Sequence, residues 1–336
     1  MGGSSVEVVR GRLTEAVSDE LGGFWTEHRV LDAATARRRV DEVIALLRDP
    51  NGRVIGVNSV TAADVPLVAN RRFWLYRRFL APGAPDDAEE ALLATAYDVL
   101  DEEPDLPERP PRGLCVVVAD PAILRRFPEA VWPGTQLLFV GYTATGAQVR
   151  IRYFERDWSV SDGTTLDPRF ERHVLGESDS IGPDEVKAFW RREGALSPEE
   201  AARRIAEVLH VVTEVGGPVV GVSSAYLQAN RQLGLNFWHY RTFVAPEHRK
   251  SSIAAHLALN GRELLEQRFA AGVAATAAGI LLEIENEGLK RHMSGGLWPT
   301  TGFTFVGENT RGDHVRVRYF PGVLAPPPPV ARNPAV

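Results

Sequence analysis

The chain has 336 residues, of which 44% are hydrophobic and 24% charged, with a formal net charge of −6 at pH 7 and one cysteine. This length predicts two domains of about 150 residues, each able to bury a core. The negative charge argues against nucleic-acid and anionic-lipid partners, the single cysteine excludes an internal disulfide, and no apolar run is long enough to span a membrane. We therefore expect a cytoplasmic protein without nucleic-acid or membrane partners.

An aromatic pattern occurs twice along the chain. Segment 73–82 reads Phe-Trp-Leu-Tyr-Arg-Arg-Phe-Leu-Ala-Pro, and segment 237–246 reads Phe-Trp-His-Tyr-Arg-Thr-Phe-Val-Ala-Pro. A second block, over 132–154, returns at nearly the same offset over 298–320. A repeat unit of about 160 residues is long enough to be a whole domain. The sequence therefore predicts a tandem duplication.

Two segments of distinctive composition divide the chain. Residues 159–165 are small and polar, as in a linker, and residues 325–329 read Ala-Pro-Pro-Pro-Pro. We predict a first domain over 1–158, a linker over 159–182, a second domain over 183–323, and a disordered or extended tail over 324–336.

The elements of the second copy follow in chain order. Helical spacing covers 183–192 and 198–214, the latter opened by a capping box of Ser197 and Glu200. Strands are predicted over 219–222 and 237–244, then a helix over 252–268, a strand over 280–285, a short helix, and a hairpin of 303–307 and 314–319. Arg316 and Arg318 should point outward from a half-buried strand. With the same order in the first copy, the sequence predicts an α/β fold in which helices flank mixed sheets.

The segment 244–254 carries most of the functional information. It ends a strand and opens a helix, where backbone amides and the helix dipole favour an anion. Arg249 and Lys250 would add full charges, and the small residues Ser251, Ser252 and Ala254 would let a phosphate approach the backbone. The alternative interpretation is an ordinary helix start with a serine N-cap.

This segment resembles the pyrophosphate loop of the GNAT superfamily of N-acetyltransferases, through the pattern Arg249-x-x-Ser252-x-Ala254, with serine in place of the central glycine. The strand end at Asn286 and the Gly302-Phe303 pair also resemble that family. The resemblance covers roughly 180–320 and, by the internal repeat, 30–155. It implies tandem GNAT-like domains with a V-shaped opening that binds acetyl-CoA or another acyl-CoA as co-substrate, without a metal. The residues it places at the acyl-CoA are Phe243, Val244, Arg249, Lys250, Ser251, Ser252, Ile253, Ala254 and Asn286.

The resemblance also locates the proton-transfer positions. Trp238 stands near the position where the family usually has its catalytic base, and Trp298 stands at the position of its usual acid. A tryptophan side chain can take neither role, because it does not transfer a proton. The substitutes within reach are His239, Tyr240, Glu283 and Glu285. Tyr240 recurs as Tyr76 in the first copy, which favours a shared structural role, whereas the counterpart of His239 is Leu75. The alternative for His239 is a strand residue that faces away from the site.

The first copy lacks the basic loop. After Pro82, residues 83–90 contain no arginine or lysine and four carboxylates, Asp86, Asp87, Glu89 and Glu90. Carboxylates suit a helix N-terminus but repel a pyrophosphate. We expect that this copy does not bind CoA and has a structural role or contributes to the acceptor pocket.

Three functions remain open at this point. The first is an acyl-CoA-dependent N-acyltransferase, with its active site in the second domain and an amine of a small molecule or peptide as acceptor. The second is a non-catalytic tandem module that binds acyl-CoA or another small ligand. The third is an aminoacyl-tRNA-dependent transferase, which the acidic net charge disfavours. The acceptor, the acyl group and the oligomeric state are not predicted.

Overall fold

The computed structural model describes residues 3–103, 108–160, 163–177, 181–273 and 276–328. They form two compact units, the first Met1–Asp157 together with Pro327 and Pro328, and the second Trp158–Pro326. Most of the predicted tail, 329–336, and residues 161–162 and 178–180 of the predicted linker lie outside the described residues. Within the described ranges, no helix is long and apolar enough to cross a membrane.

The first unit is one mixed sheet with helices. Its strands are β1 Ser5–Val8, β2 Val43–Arg48, β3 Val54–Val65, β4 Arg71–Leu80, β5 Gly113–Val118, β6 Leu138–Tyr142 and β7 Gln148–Tyr153. Its α-helices are α1 Glu15–Glu27, α2 Ala33–Arg39, α3 Ala88–Asp101 and α4 Pro121–Arg126. The strand order is β1-β2-β3-β4-β5-β7-β6. All neighbours are antiparallel except β4 and β5, which are parallel.

The second unit repeats this arrangement. Its strands are β8 Phe170–Val174, β9 Val208–Glu214, β10 Val219–Asn230, β11 Leu235–Val244, β12 Ala277–Ile284, β13 Leu297–Trp298, β14 Phe303–Glu308 and β15 His314–Tyr319. Its α-helices are α5 Pro183–Arg192, α6 Pro198–Arg204, α7 Ile253–Ala270 and α8 Glu287–His292. The order β8-β9-β10-β11-β12-β15-β14-β13 matches that of the first unit with one added edge strand. The predicted fold class, α/β with mixed sheets, is confirmed.

Several helices begin where the sequence supplies a cap. The side chains of Thr14, Asp32, Asp120, Ser197 and Asn286 each accept a hydrogen bond from an amide in the first turn of the helix that follows. Proline follows the cap in α4 and α6, where its missing N–H has no cost. The capping residues and prolines therefore determine at which residue each of these helices begins.

The predicted helix over 198–214 is wrong in its second half. Helix α6 ends at Arg204, a 3-10 turn covers Ile205–Glu207, and Val208–Glu214 forms strand β9. This strand is rich in β-branched residues and lies almost entirely buried in the sheet, so its tertiary pairing overrides the helical pattern before it. The edge strands β1 and β8 were not predicted; β8 lies within the segment expected to be a linker and pairs with β9.

Helix α7 packs on one face of the second sheet, and its closest approach is made by a glycine. Tyr240 lies under the helix, and a Cβ added to Gly261 would stand 2.3 Å from the Tyr240 ring. The Tyr240 hydroxyl donates a hydrogen bond to the Leu257 carbonyl, 2.5 Å away. The glycine is unfavourable inside a helix, and the ring that occupies its place explains its presence.

The prediction that Arg316 points outward is wrong. Its side chain is fully buried and donates to the carbonyls of Met293 and Gly295 at 2.9 and 2.6 Å. The loop before β13 folds back over β15, and its main-chain carbonyls have no partners in the sheet. The Arg316 guanidinium has five N–H donors, so it can bond to several of these carbonyls at once. Arg150 is equally buried in the first unit and donates to the Glu129 carbonyl at 2.8 Å.

Candidate acyl-CoA site

The only parallel strand pair of the second sheet, as far as the chain is described, separates along its length. Strands β11 and β12 pair from Asn236↔Ala277 to Tyr240↔Leu282. Beyond that point β11 continues to Val244 and β12 to Ile284 without pairing to each other. The sheet therefore opens at the carboxyl ends of these strands, immediately before helix α7.

The opening has main-chain groups along one side. The amide of Ala245 donates to the Val220 carbonyl on β10 at 2.9 Å. Since successive residues in a strand turn their main-chain groups to opposite sides, Thr242 and Val244 direct theirs toward the opening. The Val244 carbonyl already accepts a bond from Nε of Arg249 at 3.2 Å. The remaining groups are available to an extended polar ligand.

The loop that follows β11 satisfies part of its own backbone. A 3-10 turn covers Pro246–His248. The amide of Ser251 donates to the His248 carbonyl at 3.0 Å, and the amide of Ile253 donates to Oγ of Ser251 at 3.3 Å. Within the described part of the chain, the amides of Lys250 and Ser252 have no hydrogen-bond partner. These two donors precede the first turn of α7, where the amides of Ala254 and Ala255 also have no hydrogen-bond partner among the described residues.

The side chains of the loop point in different directions. Arg249 and Lys250 are exposed, and Lys250 forms no ion pair with any described residue. Ser252 turns away and donates its hydroxyl to the Thr165 carbonyl at 2.7 Å. Ile253 is fully buried beneath the helix, whereas Ala254 is exposed. Lys250 therefore brings a free positive charge to the two free amides.

Two further predicted cofactor residues have structural contacts. The Phe243 ring lies 5.5 Å from that of Phe189 on α5, and the Arg249 guanidinium lies 5.9 Å from the Phe243 ring centroid. Asn286 caps helix α8, and its Oδ1 accepts the amide of Leu289 at 2.9 Å. Both lie near the ends of the separating strands, where the sequence placed them.

His239 lies on β11 just before the strands separate. It is 7% exposed, its ring centroid lies 5.2 Å from that of Tyr226 on β10, and its Nε2 has no hydrogen-bond partner among the described residues. Burial lowers the pKa of His239, the Glu283 carboxylate opposes that shift, and Arg241 adds to it. At neutral pH the imidazole is uncharged and has a free nitrogen that can accept a proton.

Tyr240 is not brought together with His239. Consecutive strand residues face opposite sides of a sheet, and Tyr240 faces helix α7. Its hydroxyl is engaged with Leu257, and burial strongly raises its pKa. The hydroxyl therefore lies away from the imidazole and stays protonated.

Glu283 near the end of β12 and Glu285 directly after that strand share one cation. Arg311, in the turn before β15, approaches Glu283 at 3.2 Å and Glu285 at 3.6 Å. The same guanidinium binds Asp313 at 2.8 Å. The sequence analysis did not predict a role for Arg311, because its turn contains no motif that links it to β12.

A second ion pair on this side of the sheet was also missed. Arg241 lies 3.2 Å from Glu207 and its guanidinium stacks 3.9 Å from the ring centroid of Tyr226. The first unit contains the equivalent pair, Arg77 and Glu42, at 2.9 Å. The recurrence of both residues at matching positions was the signal that could have identified it.

The corresponding opening in the first unit is acidic. Strands β4 and β5 stop pairing at Tyr76↔Val116, and α3 begins at Ala88 with Glu89 and Glu90 in its first turn. Glu89 is paired with Arg78 at 2.5 Å. In neither unit do the described residues include a group of three or more His, Cys, Asp or Glu placed to hold a metal ion.

No family model and no curated protein matches the sequence. Among solved structures, the chain is similar to a GNAT superfamily phosphinothricin acetyltransferase from Sinorhizobium meliloti in complex with acetyl-CoA, at 16% identity and a TM-score of 0.34, over 46% of this chain and 89% of that one. It is also similar to a ribosomal-protein-S5-alanine acetyltransferase from Vibrio fischeri, at 12% identity and a TM-score of 0.32, over 47% and 97%. A glucosamine N-acetyltransferase region of a fungal multi-domain β-N-acetylglucosaminidase matches 80% of this chain and 34% of its own, at 13% identity and a TM-score of 0.27.

At these identities and TM-scores the similarities carry no argument about function. The fold is defined by the strand order itself, with one parallel pair that separates and a helix that starts where the pair opens. That arrangement is present in both units.

Proposed function

We propose that the second unit binds an acyl-CoA and transfers its acyl group to an amine. The observation that carries this proposal is the separation of β11 from β12 next to a loop with two free amides and the unpaired Lys250. An extended thioester ligand with a phosphorylated end fits these two features. Its polar arm would bond to the free main-chain groups at the edge of β11, and its phosphates would lie at the positive charge where α7 starts.

The residues then have the following roles. Thr242 and Val244 hold the ligand arm through main-chain bonds. Lys250 and Arg249 neutralise the pyrophosphate, and the amides of Lys250 and Ser252 bind its oxygens. The exposed side chain of Ala254 leaves room for the anion. The arm lies between the two strands, with Phe243 next to the last residue of β11 and Asn286 two residues after the end of β12.

His239 is the proposed base. Bound acyl-CoA supplies a thioester whose carbonyl carbon forms a bond to the acceptor nitrogen as its bond to sulfur breaks. The neutral imidazole accepts the proton that the amine loses, directly or through a water. Glu283 stabilises the imidazolium, because it raises the pKa of His239. The departing thiolate takes its proton from solvent, since Trp298 has no transferable proton.

Calorimetry with acetyl-CoA tests binding. The wild type should bind, and Arg249→Ala combined with Lys250→Ala should weaken the affinity by about 10- to 100-fold, since each lost charge-assisted contact is worth roughly 1.4 kcal/mol. Arg37→Ala combined with Arg38→Ala removes two exposed cations of α2 and serves as the matched control. Absence of binding by the wild type to any CoA ester would overturn the proposal.

A non-catalytic acyl-CoA-binding module is the second candidate. It is favoured by Trp238 and Trp298 at the usual proton-transfer positions and by the engagement of the Tyr240 hydroxyl with Leu257. Release of free thiol from acetyl-CoA in the presence of a panel of amines separates the two. Binding without amine-dependent thiol release supports the module.

A further inference from the structure

A small cavity of about 50 Å³ lies in the first unit, between the helical pair α1–α2 and the strands β3 and β4. Its polar lining residues on this side of the sheet are Arg39, Arg77 and Ser59. The apolar walls include Trp25 at the end of α1, Leu31 in the connection between the helices and Phe79 on β4. We call this cavity the Arg39 pocket.

The charges around the Arg39 pocket are not equally neutralised. Arg77 is paired with Glu42 at 2.9 Å, whereas Arg78 faces the opposite side of the sheet and pairs there with Glu89 of α3 at 2.5 Å. Arg39 forms no ion pair or hydrogen bond with any described residue, although its side chain is only partly exposed. The pocket therefore has one excess positive charge next to an apolar wall.

In the second unit, the arginine equivalent to Arg39 is neutralised by a carboxylate on the same helix. Arg204 occupies the position of Arg39, seven residues after the N-cap of α6, and pairs with Glu200 at 2.7 Å. The position of Glu200 is held in the first unit by Thr35, whose hydroxyl donates to Asp32 at 2.8 Å. Arg241 is the equivalent of Arg77, and the uncharged Thr242 holds the position that Arg78 has in the first unit. Of the two equivalent positions, only the first unit leaves its arginine unpaired.

We propose that the Arg39 pocket binds the carboxylate of a small organic acid with an apolar body. A guanidinium binds a carboxylate through two parallel hydrogen bonds, and the Ser59 hydroxyl can donate a third. A volume of about 50 Å³ corresponds to only a few water positions, enough for a carboxylate and its first carbons. The rest of the ligand would lie on Trp25 and Phe79. This site is independent of the proposed acyl-CoA site in the second unit.

Fluorine NMR on 5-fluorotryptophan-labelled full-length protein tests the proposal at the pocket itself. The Trp25 signal is identified by its loss in Trp25→Phe. Benzoate and propionate are the probes, with benzamide and propionamide as their uncharged matches and inorganic phosphate as a different anion. We expect the Trp25 signal to shift with the carboxylates in a saturable manner and not with the amides or phosphate.

Thr35→Glu is the decisive variant, because it places beside Arg39 the partner that Arg204 has. It should weaken carboxylate binding at least about tenfold, as should Arg39→Gln. Glu200→Thr and Arg204→Gln, the equivalent changes in the second unit, should leave binding unchanged. Circular dichroism on each variant verifies folding, and because Thr35→Glu alters a partly exposed helix position it should retain the wild-type spectrum.

Two results would overturn the proposal. The first is a Trp25 signal that no carboxylate shifts. The second is a shift that persists in both Thr35→Glu and Arg39→Gln, or that the amides and phosphate produce equally.

Discussion

The guanidinium carbon of Arg316 lies 4.0 Å from the ring centroid of Trp298, and Nε1 of Trp298 donates to the carbonyl of Met293, which also accepts a bond from Arg316. The first unit contains the same arrangement, with Arg150 4.4 Å from Trp132. This clamp holds the residue at the position where the GNAT resemblance places a proton donor. Its recurrence in a unit with an acidic loop indicates that it stabilises the fold rather than serving chemistry.

Replacing Arg316 by methionine should destabilise the second unit by about 2–4 kcal/mol, because several buried carbonyls lose their donor at once. Urea unfolding followed by circular dichroism measures the loss. Arg318→Met is the control: this side chain is partly exposed and pairs with Glu266 at 3.1 Å, so its removal should cost about 1 kcal/mol or less. Equal effects of the two changes would contradict the structural role of the clamp.

The sequence predicted the features that depend on local patterns. The duplication, the order of strands and helices after β9 apart from β13, and the cap Ser197 follow from spacing and residue type. It failed where non-local pairing decides the outcome. Val208–Glu214 continues a helical pattern but is a buried strand, and the burial of Arg316 depends on a loop that returns from elsewhere.

The candidate site was predicted in the same uneven way. The loop with Arg249 and Lys250 was visible from its charges and small residues. The ion pairs of Arg241 with Glu207 and of Arg311 with Glu283 join residues far apart in the chain, and no local pattern indicates them. Which side of the sheet Tyr240 faces also required the strand register, which places it under α7.

Gly261→Ala should destabilise the protein by about 1–3 kcal/mol, despite the better helix propensity of alanine, since the added Cβ meets the Tyr240 ring at 2.3 Å. The first unit has Ala96 at the equivalent point of α3. Combining Gly261→Ala with Tyr240→Leu should recover part of the loss, because the ring that clashes is gone. A double-mutant cycle by urea unfolding measures the coupling, and strictly additive effects would contradict the proposed contact.

His210 should make the protein sensitive to acid. Burial lowers its pKa to about 4, with Arg172, His256 and Arg268 adding repulsion. The folded protein therefore keeps the imidazole neutral, whereas the unfolded chain binds a proton below about pH 6.5. The free energy of unfolding should fall as the pH drops from 6.5 to 4, by up to about 3 kcal/mol from this residue.

The check is the pH dependence of urea unfolding for His210→Gln. This variant should show a flatter profile between pH 6.5 and 4 than the wild type. His292→Gln, at an exposed position of α8, should keep the wild-type profile. A wild-type slope that survives in His210→Gln would assign the acid sensitivity to other groups.

The pH dependence of acyl transfer tests His239 as the base. Because burial lowers its pKa, kcat/KM should rise with pH below 6.5 and be level above it. His239→Gln should lower the rate by about 100-fold or more and abolish the rising limb. Glu283→Gln removes the group that raises the pKa of His239, so the limb should move to lower pH. Tyr240→Phe should keep both rate and profile, since that hydroxyl is bonded to Leu257 on the opposite face. If His239→Gln transfers acyl groups at the wild-type rate while Tyr240→Phe does not, the two residues have been assigned the wrong way round.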